Sequence, residues 1–442
     1  MSLAAAAREA PTGRAWLRLL AVQTTGLPTP ETSVLHTLLE SVAAAREDGH
    51  AAASIDVLLL QGGDLRAGRT NALMESFRRI PDVTVRAVQM GKLGRHDTRP
   101  LDRALKMRDL AAMRFTRRQV LAAARHFRPD VVYSAQQRWD LRLAVPVARA
   151  LGVPRVVHLH YTIGPWLGPN AVDALREAAL VLTVSDYIRD DAVHHGVEAA
   201  RARTLHNSIA PPSEPSREEI SAGRAALRAE LDLPADALLV GMFARLNREK
   251  GQEDLLQAML PILERDRRVG LVLAGRENPA HNGVSESIAR AAREHGVGVR
   301  VRLLGHRRDV PRLLDGLDIF AHSSRREPFG LALLEAMAHG LPVVAWREGG
   351  PAEIVADGET GLLVPPGEIA ALTSALDTLL TDEGLRAAMG ARGRRRAAVA
   401  FDPARAGASF LSLLWEVRGS HPLPLLPDTG EDHQSNTDPS GH

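Results

Sequence analysis

The chain has 442 residues, of which 45% are apolar and 24% charged, so it is long enough for two globular domains with their own cores. A net charge of +2 and an aromatic content of 4% argue against a protein that binds nucleic acid over its whole surface. The absence of cysteine excludes disulfides, thiolate catalysis and cysteine-ligated metals. A cytoplasmic protein is the simplest expectation.

The first half of the chain alternates short apolar runs with longer helical patterns. Residues 1–13 are alanine-rich, and we expect them to be disordered. Strands are predicted at 17–23, 55–60, 83–88, 131–134, 156–160 and 180–184. Helices are predicted at 32–47, 103–126, 141–151 and 172–179. This alternation is typical of parallel strands with helices on both faces of the sheet.

The same pattern restarts after a proline-rich seam at 209–217. Strands are predicted at 238–243, 269–273, 299–304, 319–322, 343–346 and 361–364. Helices are predicted at 252–263, 284–295, 310–314, 329–339 and 370–380. We therefore predict an α/β protein with two doubly wound domains, 14–210 and 211–399, that face each other across a cleft. We expect 400–419 to form a helix that packs back toward the first domain, and 420–442 to be a disordered tail.

Two glutamates frame the most informative stretch, S-S-R-R-E-P-F-G-L-A-L-L-E, which ends at Glu335. Pro328 and Gly330 predict the start of a helix, and a helix N-terminus offers N–H groups that suit a phosphate. Glu327 lies beside that start, and Glu335 is expected about 12 Å further along the helix. Carboxylates at that separation could hold hydroxyls at opposite ends of a nucleotide diphosphate sugar.

A second candidate site follows the strand at 238–243, where Arg245, Lys250 and Gly251 occur in succession. Two cations at the carboxyl end of a buried strand could neutralise a diphosphate leaving group. A loop of solvated charges is the alternative interpretation. No Asp-x-Asp sequence occurs in the chain, so there is no obvious carboxylate clamp for Mg²⁺ or Mn²⁺ on a diphosphate.

Two histidines alternate at the end of the strand at 156–160, so His158 and His160 are expected on the same face. His160 is nearer the end of the strand, where it could meet a bound sugar. A hydrogen-bonded core histidine is the alternative, and no suitable third metal ligand is spaced nearby.

The turn after the first strand contains a single glycine, Gly26, and several hydroxyl residues. It could contact a ligand through backbone N–H groups, or it could simply cap the next helix. Neither G-x-G-x-x-G nor a Walker A sequence follows any predicted strand, which argues against a hydride-transfer enzyme and a P-loop kinase.

The helix predicted near 103–128 is strongly basic. A solvated face is the default interpretation, and the alternatives are contact with an acidic acceptor and peripheral contact with anionic lipid at the inner face of the membrane. Its cationic residues are Arg103, Lys106, Arg108, Arg114, Arg117, Arg118, Arg125 and Arg128.

These motifs resemble those of retaining glycosyltransferases with the GT-B fold, a large family that includes sucrose synthase, phosphatidylinositol mannosyltransferases and many bacterial sugar transferases. The family's E-x7-E motif corresponds to Glu327 and Glu335. Its Gly-Arg-Leu…Lys-Gly motif corresponds to residues 244–251, with alanine in place of the first glycine. The pair of glycines that often approaches the donor in the first domain is reduced to Gly26.

The resemblance implies a role for each matching residue. Arg245 and Lys250 would bind the donor diphosphate, and Glu327 would hold hydroxyls of the donor sugar. Glu335 would bind the ribose, and His160 would lie near the anomeric centre. The backbone N–H groups that would assist Glu327 belong to Phe329, Gly330 and Leu331.

The resemblance also implies the reaction. A hexose would move from a UDP- or GDP-linked donor to a hydroxyl of a small-molecule, lipid or glycan acceptor, with retention of the anomeric configuration and without a metal or other cofactor. A phosphorylase, a sugar-nucleotide epimerase and a non-catalytic nucleotide-sugar binding protein remain as alternatives.

Overall fold

A computed structural model describes residues 15–24, 29–47, 53–63, 72–89, 100–136, 138–168, 170–212, 216–277 and 283–419. Gly26 and the ends predicted to be disordered, 1–13 and 420–442, lie outside these residues. The described residues build two parallel sheets, each flanked by helices.

The first sheet has seven parallel strands in the order β3-β2-β1-β4-β5-β6-β7. The strands are β1 (Ala15–Gln23), β2 (Ala53–Gly63), β3 (Val83–Gln89), β4 (Val131–Ala135), β5 (Arg155–Leu159), β6 (Leu180–Thr183) and β7 (Ala202–Thr204). The helices between them are α1 (Pro30–Glu47), α2 (Ala72–Arg78), α3 (Pro100–Phe127), α4 (Arg138–Leu151), α5 (Ala171–Arg176) and α6 (Asp186–His194).

The second sheet has six parallel strands in the order β10-β9-β8-β11-β12-β13. The strands are β8 (Leu238–Phe243), β9 (Val269–Ala274), β10 (Val301–Leu303), β11 (Ile319–His322), β12 (Val343–Trp346) and β13 (Gly361–Val364). The helices are α7 (Arg217–Glu230), α8 (Gln252–Arg265), α9 (Val284–Glu294), α10 (Val310–Gly316), α11 (Leu331–Ala338), α12 (Pro351–Ile354), α13 (Ile369–Thr381) and α14 (Glu383–Ala400).

Burial explains why these runs form parallel strands. Every residue of β4, β5 and β6 is buried, as is typical of strands covered by helices on both faces. In both sheets the strand order reverses beside the first strand, β1 or β8, which opens a crevice at the carboxyl ends of the strands. Ligands of doubly wound proteins bind in such crevices.

The last helix, α15 (Pro403–Arg418), packs against α1 and β4 of the first sheet. The Phe410 ring lies edge-on to Tyr133 with 5.8 Å between ring centroids. Gly407 closely approaches Ser41 of α1, where a Cβ on the glycine would lie only 2.7 Å from the serine Cβ. The chain therefore returns to the core of the first sheet after it has completed the second.

The basic helix α3 turns several arginines to solvent, among them Arg114, Arg117 and Arg118. Phe115 lies between them with 57% of its surface exposed. Peripheral membrane contact through this helix stays a prediction. Within the described ranges, no helix combines the length and apolar character needed to cross a membrane.

The sequence pattern missed the helices α2, α6, α7, α12 and α14. The predicted helix at 329–339 was wrong at its start, because α11 begins only at Leu331. Gly330 precedes it with a φ of 108°, a left-handed conformation that interrupts the helical path.

Candidate active site

The centre of the candidate site is an ion pair at the carboxyl edge of the second sheet. β8 and β11 are neighbours in this sheet, and the loops that follow them carry Lys250 and Glu327. Lys250 Nζ lies 2.6 Å from Glu327 Oε2. His322 Nε2, at the end of β11, lies 3.1 Å from the same oxygen. The sheet thus brings together a cation and a carboxylate that lie far apart in sequence.

Glu327 is held in its ionised form by these partners. Burial alone raises the pKa of its carboxyl, but the hydrogen bond from His322 and the charge of Lys250 outweigh burial and hold that pKa well below its usual range. The carboxylate therefore remains a charged hydrogen-bond acceptor at neutral pH.

The loop that carries Lys250 is tied down by local hydrogen bonds. Asn247 Oδ1 accepts a hydrogen bond from the Lys250 N–H at 2.9 Å. Gly251 follows with a φ of 72°, and a Cβ there would lie 2.0 Å from the carbonyl oxygen of Ser323. The Ser323 hydroxyl donates back to the Gly251 carbonyl at 2.7 Å. These contacts lock the loop after β8 against the segment after β11.

Arg245, the other predicted cation, is exposed at the start of the same loop. Its backbone carbonyl accepts a hydrogen bond from Gln252 Nε2 at 2.9 Å, which fixes the chain at this point. No carboxylate of the described residues forms an ion pair with its guanidinium. The structure therefore leaves one cation of the predicted pair available to an anion and engages the other with Glu327.

The turn at 327–330 links the ion pair to α11. The Gly350 N–H donates to the Glu327 carbonyl at 3.0 Å, and the Gly330 carbonyl accepts from Leu333 and Leu334 in the first turn of the helix. The N-terminal N–H groups of α11 therefore follow directly after the buried carboxylate. Because the turn is not helical, the distance of about 12 Å expected from helical rise does not apply to the two glutamates.

Glu335 lies on α11, and its side chain has no hydrogen bond or ion pair with the residues that the structure describes. Burial raises the pKa of its carboxyl. A partly buried carboxyl without a partner is available to accept a hydrogen bond from a ligand hydroxyl.

The end of β5 in the first sheet supplies the histidines. Their rings are in contact, with 4.3 Å between the centroids of His158 and His160. His158 Nδ1 pairs with the Tyr133 hydroxyl at 3.0 Å, which fits the alternative of a hydrogen-bonded core histidine. Gln136 fixes the end of the strand, since its Oε1 accepts from the His160 N–H at 2.8 Å.

His160 is neutral at physiological pH. Burial lowers its pKa to about 3. Its Nε2 is buried and has no hydrogen-bond partner among the side chains and backbone groups that the structure describes. His160 can therefore act as a neutral hydrogen-bonding group but not as a cation.

Tyr161, which sequence reasoning missed, connects the two sheets electrostatically. Burial raises the pKa of its hydroxyl, and the charges of Glu31, Arg245 and Glu327 act on it as well. Tyr161 is therefore close enough to the loops of the second sheet for the charges of Arg245 and Glu327 to act on it. His322 and Asn247 were also missed. His322 ends β11 and Asn247 follows β8, and both strands were predicted correctly, so their positions at the carboxyl edge were the available signal.

The described residues contain no group of three His, Asp or Glu side chains arranged to hold a metal ion.

The models of two protein families match parts of the chain. "Glycosyltransferase Family 4" matches residues 79–211, and "Glycosyl transferases group 1" matches residues 223–396. These two matches support a glycosyltransferase of group 1, as the sequence motifs predicted.

Curated relatives match over part of their length. The lipopolysaccharide core biosynthesis glycosyltransferase LpsE of Rhizobium meliloti is 34% identical over 187 residues, which are 42% of this chain and 52% of the relative. The D-inositol 3-phosphate glycosyltransferase of Corynebacterium aurimucosum is 38% identical over 167 residues, which are 37% of this chain and 39% of the relative. The chain thus spans about half or less of the length of these relatives.

Solved structures match more completely. HepE of Anabaena, crystallised with UDP, superposes with a TM-score of 0.72 and 23% identity, over 90% of this chain and all of that one. Sucrose-phosphate synthase of Thermosynechococcus elongatus gives a TM-score of 0.69 and 19% identity, over 91% of this chain and 99% of that one. The predicted GT-B fold of two Rossmann-like domains is confirmed.

Proposed function

We propose that this protein is a retaining glycosyltransferase that moves a hexose from a UDP- or GDP-linked donor to a hydroxyl of an acceptor, without a metal. The Lys250–Glu327–His322 cluster carries the proposal, because the loop that holds Lys250 also carries the exposed Arg245 and the turn that holds Glu327 leads into the N-terminus of α11. A crevice that offers a cation, a helix N-terminus and an ionised carboxylate suits a ligand with both phosphates and hydroxyls.

In this proposal, Arg245, Lys250 and the N-terminus of α11 bind the diphosphate. Lys250 extends the positive charge toward the anomeric carbon, and Glu327 accepts hydrogen bonds from hydroxyls of the donor sugar. Glu335 accepts from the ribose. The HepE structures with UDP and with UDP-glucose support a nucleotide-sugar donor on this fold.

The proposed reaction breaks the bond between the anomeric carbon and the diphosphate oxygen, and the acceptor oxygen forms the new bond from the same face. The leaving diphosphate takes the bonding electrons and is the site of developing negative charge. Cations placed there lower the barrier, because they interact more strongly with the separating diphosphate than with the intact donor. The acceptor hydroxyl loses its proton to the departing phosphate oxygen in this scheme.

The ion pair favours this scheme over a covalent glycosyl-enzyme intermediate. Glu327 is already engaged by Lys250 and His322, so it is better suited to bind hydroxyls than to attack the anomeric carbon. His160, neutral and buried on the facing sheet, can accept or donate one hydrogen bond near the sugar without adding charge. Closure of the crevice would exclude water from the reacting centre.

A product assay tests the proposal. The protein is incubated with UDP- and GDP-linked hexoses and a panel of hydroxyl acceptors, and the anomeric configuration of the product is read by NMR. The proposal requires acceptor-dependent release of the nucleotide diphosphate and a product with the configuration of the donor. An inverted product, dependence on inorganic phosphate, or epimerisation of the donor without an acceptor would contradict it.

A further inference from the structure

The N-terminus of α6, in the first half of the chain, is bonded to two segments of the second half. The Ser185 hydroxyl donates to the Pro328 carbonyl at 2.6 Å, within the turn that carries Glu327. The Glu353 carboxylate accepts the N–H groups of Asp186 and Tyr187 at 2.8 and 2.9 Å. We call the contacts made by Ser185 and Glu353 the interdomain clasp.

Charge and dipole favour the clasp. The first N–H groups of a helix have no partner inside the helix and carry a partial positive charge, so a carboxylate placed on them forms charge-assisted hydrogen bonds. Glu353 also accepts from, or pairs with, His206 Nε2 at 2.9 Å. One carboxylate from the second half thus satisfies three groups of the first half.

The clasp is connected to the ion pair through a short chain of contacts. Glu353 follows the Gly349–Gly350 turn, which packs between Glu327 and Tyr187. A Cβ on Gly349 would lie 2.2 Å from the Glu327 carbonyl oxygen and 3.4 Å from the Tyr187 ring. Movement of α6 relative to the second sheet therefore displaces the turn that holds the buried carboxylate.

The clasp lies beside the two points where the chain passes between the halves, and aromatic rings pack there. The rings of His206, Phe329 and Phe401 lie with centroids 5.9 to 6.0 Å apart in each pair. The Ile209 N–H, just before the chain enters the second half, donates to the Phe401 carbonyl, where the chain returns, at 3.1 Å. The clasp thus sits at the hinge side of the crevice rather than at its mouth.

We infer that Ser185 and Glu353 are positioning residues that fix the angle between the two halves and the pose of the turn at 327–330. The same contacts serve both purposes, the angle between the halves and the pose of the turn, since the N-terminus of α6 contacts both Pro328 and Glu353. This inference does not depend on the chemistry of the donor, because every contact that supports it lies within the protein.

The absence of cysteine allows a direct test. Ala122→Cys on α3 and Val299→Cys before β10 place spin labels on exposed positions of the two halves. Double electron–electron resonance then gives the distribution of distances between them. We expect a narrow distribution in the parent protein and a distribution roughly twice as broad, or shifted, in Ser185→Ala and Glu353→Ala, since hinge contacts limit domain motion.

Two variants control for simple loss of stability. Glu277 accepts the N–H groups of Gly283 and Val284 at the start of α9 but stays within the second half. Ser216 caps α7 through the Glu219 N–H and likewise stays within one half. Glu277→Ala and Ser216→Ala should leave the distance distribution unchanged, and circular dichroism confirms that every variant is folded at the measuring temperature.

The conservative variant Glu353→Gln keeps an acceptor oxygen but loses the charge. The width of its distance distribution should therefore lie between those of the parent and Glu353→Ala. Equal distributions in the parent and in the Ser185→Ala, Glu353→Ala double variant would overturn the inference. So would equal broadening in Glu277→Ala, which would show that any lost helix cap has the same effect. Neither outcome bears on whether the protein transfers sugars.

Discussion

Lys250 and Glu327 are 77 residues apart in sequence and form an ion pair of 2.6 Å at the carboxyl edge of the second sheet. Each residue was predicted to contact a donor, the lysine at the diphosphate and the glutamate at the sugar. Their direct contact joins these two predicted roles in one cluster. A donor that binds both residues would contact them at neighbouring positions, while the buried His322 stays hydrogen-bonded to Glu327.

Arg245→Ala and Lys250→Ala should both lower turnover by about 100-fold, because each removes a positive group from the leaving diphosphate. Their effects on stability should differ. Arg245 is exposed and its removal should leave the melting temperature unchanged, whereas Lys250→Ala leaves Glu327 without its cation and should cost up to about 3 kcal/mol.

Steady-state kinetics and thermal unfolding of the same preparations check both expectations. Arg267→Ala, which removes an exposed cation just before β9, at the opposite edge of the sheet, is the matched control and should behave like the parent protein. Normal turnover in both site variants would remove the roles assigned to these cations.

The contribution of Glu327 to stability should depend on pH with a definite sign. Its pKa in the folded protein lies below the ordinary value, so the folded state binds fewer protons than the unfolded state in acid, and the stabilisation is present above the unfolded pKa of about 4.3. The gap in melting temperature between the parent and Glu327→Gln should be constant above about pH 5 and should narrow as the pH falls below about 4. A gap that widened in acid would contradict the assignment of an ionised carboxylate.

The contribution of Asp140 to stability should depend on pH with the opposite sign. This buried carboxyl accepts the Thr24 N–H at 2.6 Å, and burial raises its pKa to about 7. Between about pH 4 and pH 7 the folded state therefore holds a proton that the unfolded state has lost, so the parent protein loses stability as the pH rises through this range.

Asp140→Asn keeps an acceptor for Thr24 and lacks the titrating group. Relative to the parent, its melting temperature should be similar at about pH 4 and should become higher as the pH rises, with the full difference reached above about pH 7. A difference that does not change across this range would mean that Asp140 titrates normally.

Gly251→Ala should destabilise the loop that carries Lys250. Its φ of 72° disfavours any side chain, and a Cβ would meet the Ser323 carbonyl oxygen at 2.0 Å. Gly358 has a φ of 75° but no atom within 4 Å of the place that a Cβ would occupy, so Gly358→Ala carries the backbone cost alone. Gly251→Ala should lower the melting temperature more than Gly358→Ala does, and turnover should be reduced only in Gly251→Ala. Equal losses of stability in the two variants would mean that the loop accommodates the added Cβ without strain.

Most of the architecture could be predicted from the sequence, because parallel strands buried on both faces appear as continuous apolar runs. β4, β8, β9 and β12 are clear in this way. The short helices α2 and α6 were missed because seven and nine residues are too few to show a helical period clearly. α14 was missed although it is long, since five of its eighteen residues are arginine and its buried face consists largely of glycine, alanine and methionine.

The site could be predicted in part. The motif residues Lys250 and Glu327 were identified, but their pairing depends on the order of strands β8 and β11, which sequence spacing does not reveal. His322 was not expected because it ends a strand and looks like part of the apolar run. The contact of Ser185 with Pro328 spans 143 residues and joins two loops, so no local pattern could have indicated it.

In the proposed mechanism, Arg245, Lys250 and the start of α11 bind the diphosphate of an activated sugar. Thermal unfolding with added UDP and GDP measures this directly, since a ligand that binds only the folded state raises the melting temperature. At least one of the two nucleotides should stabilise the parent protein, and Arg245→Ala should abolish most of that stabilisation. No stabilisation by either nucleotide, or equal stabilisation of the parent and the variant, would contradict it.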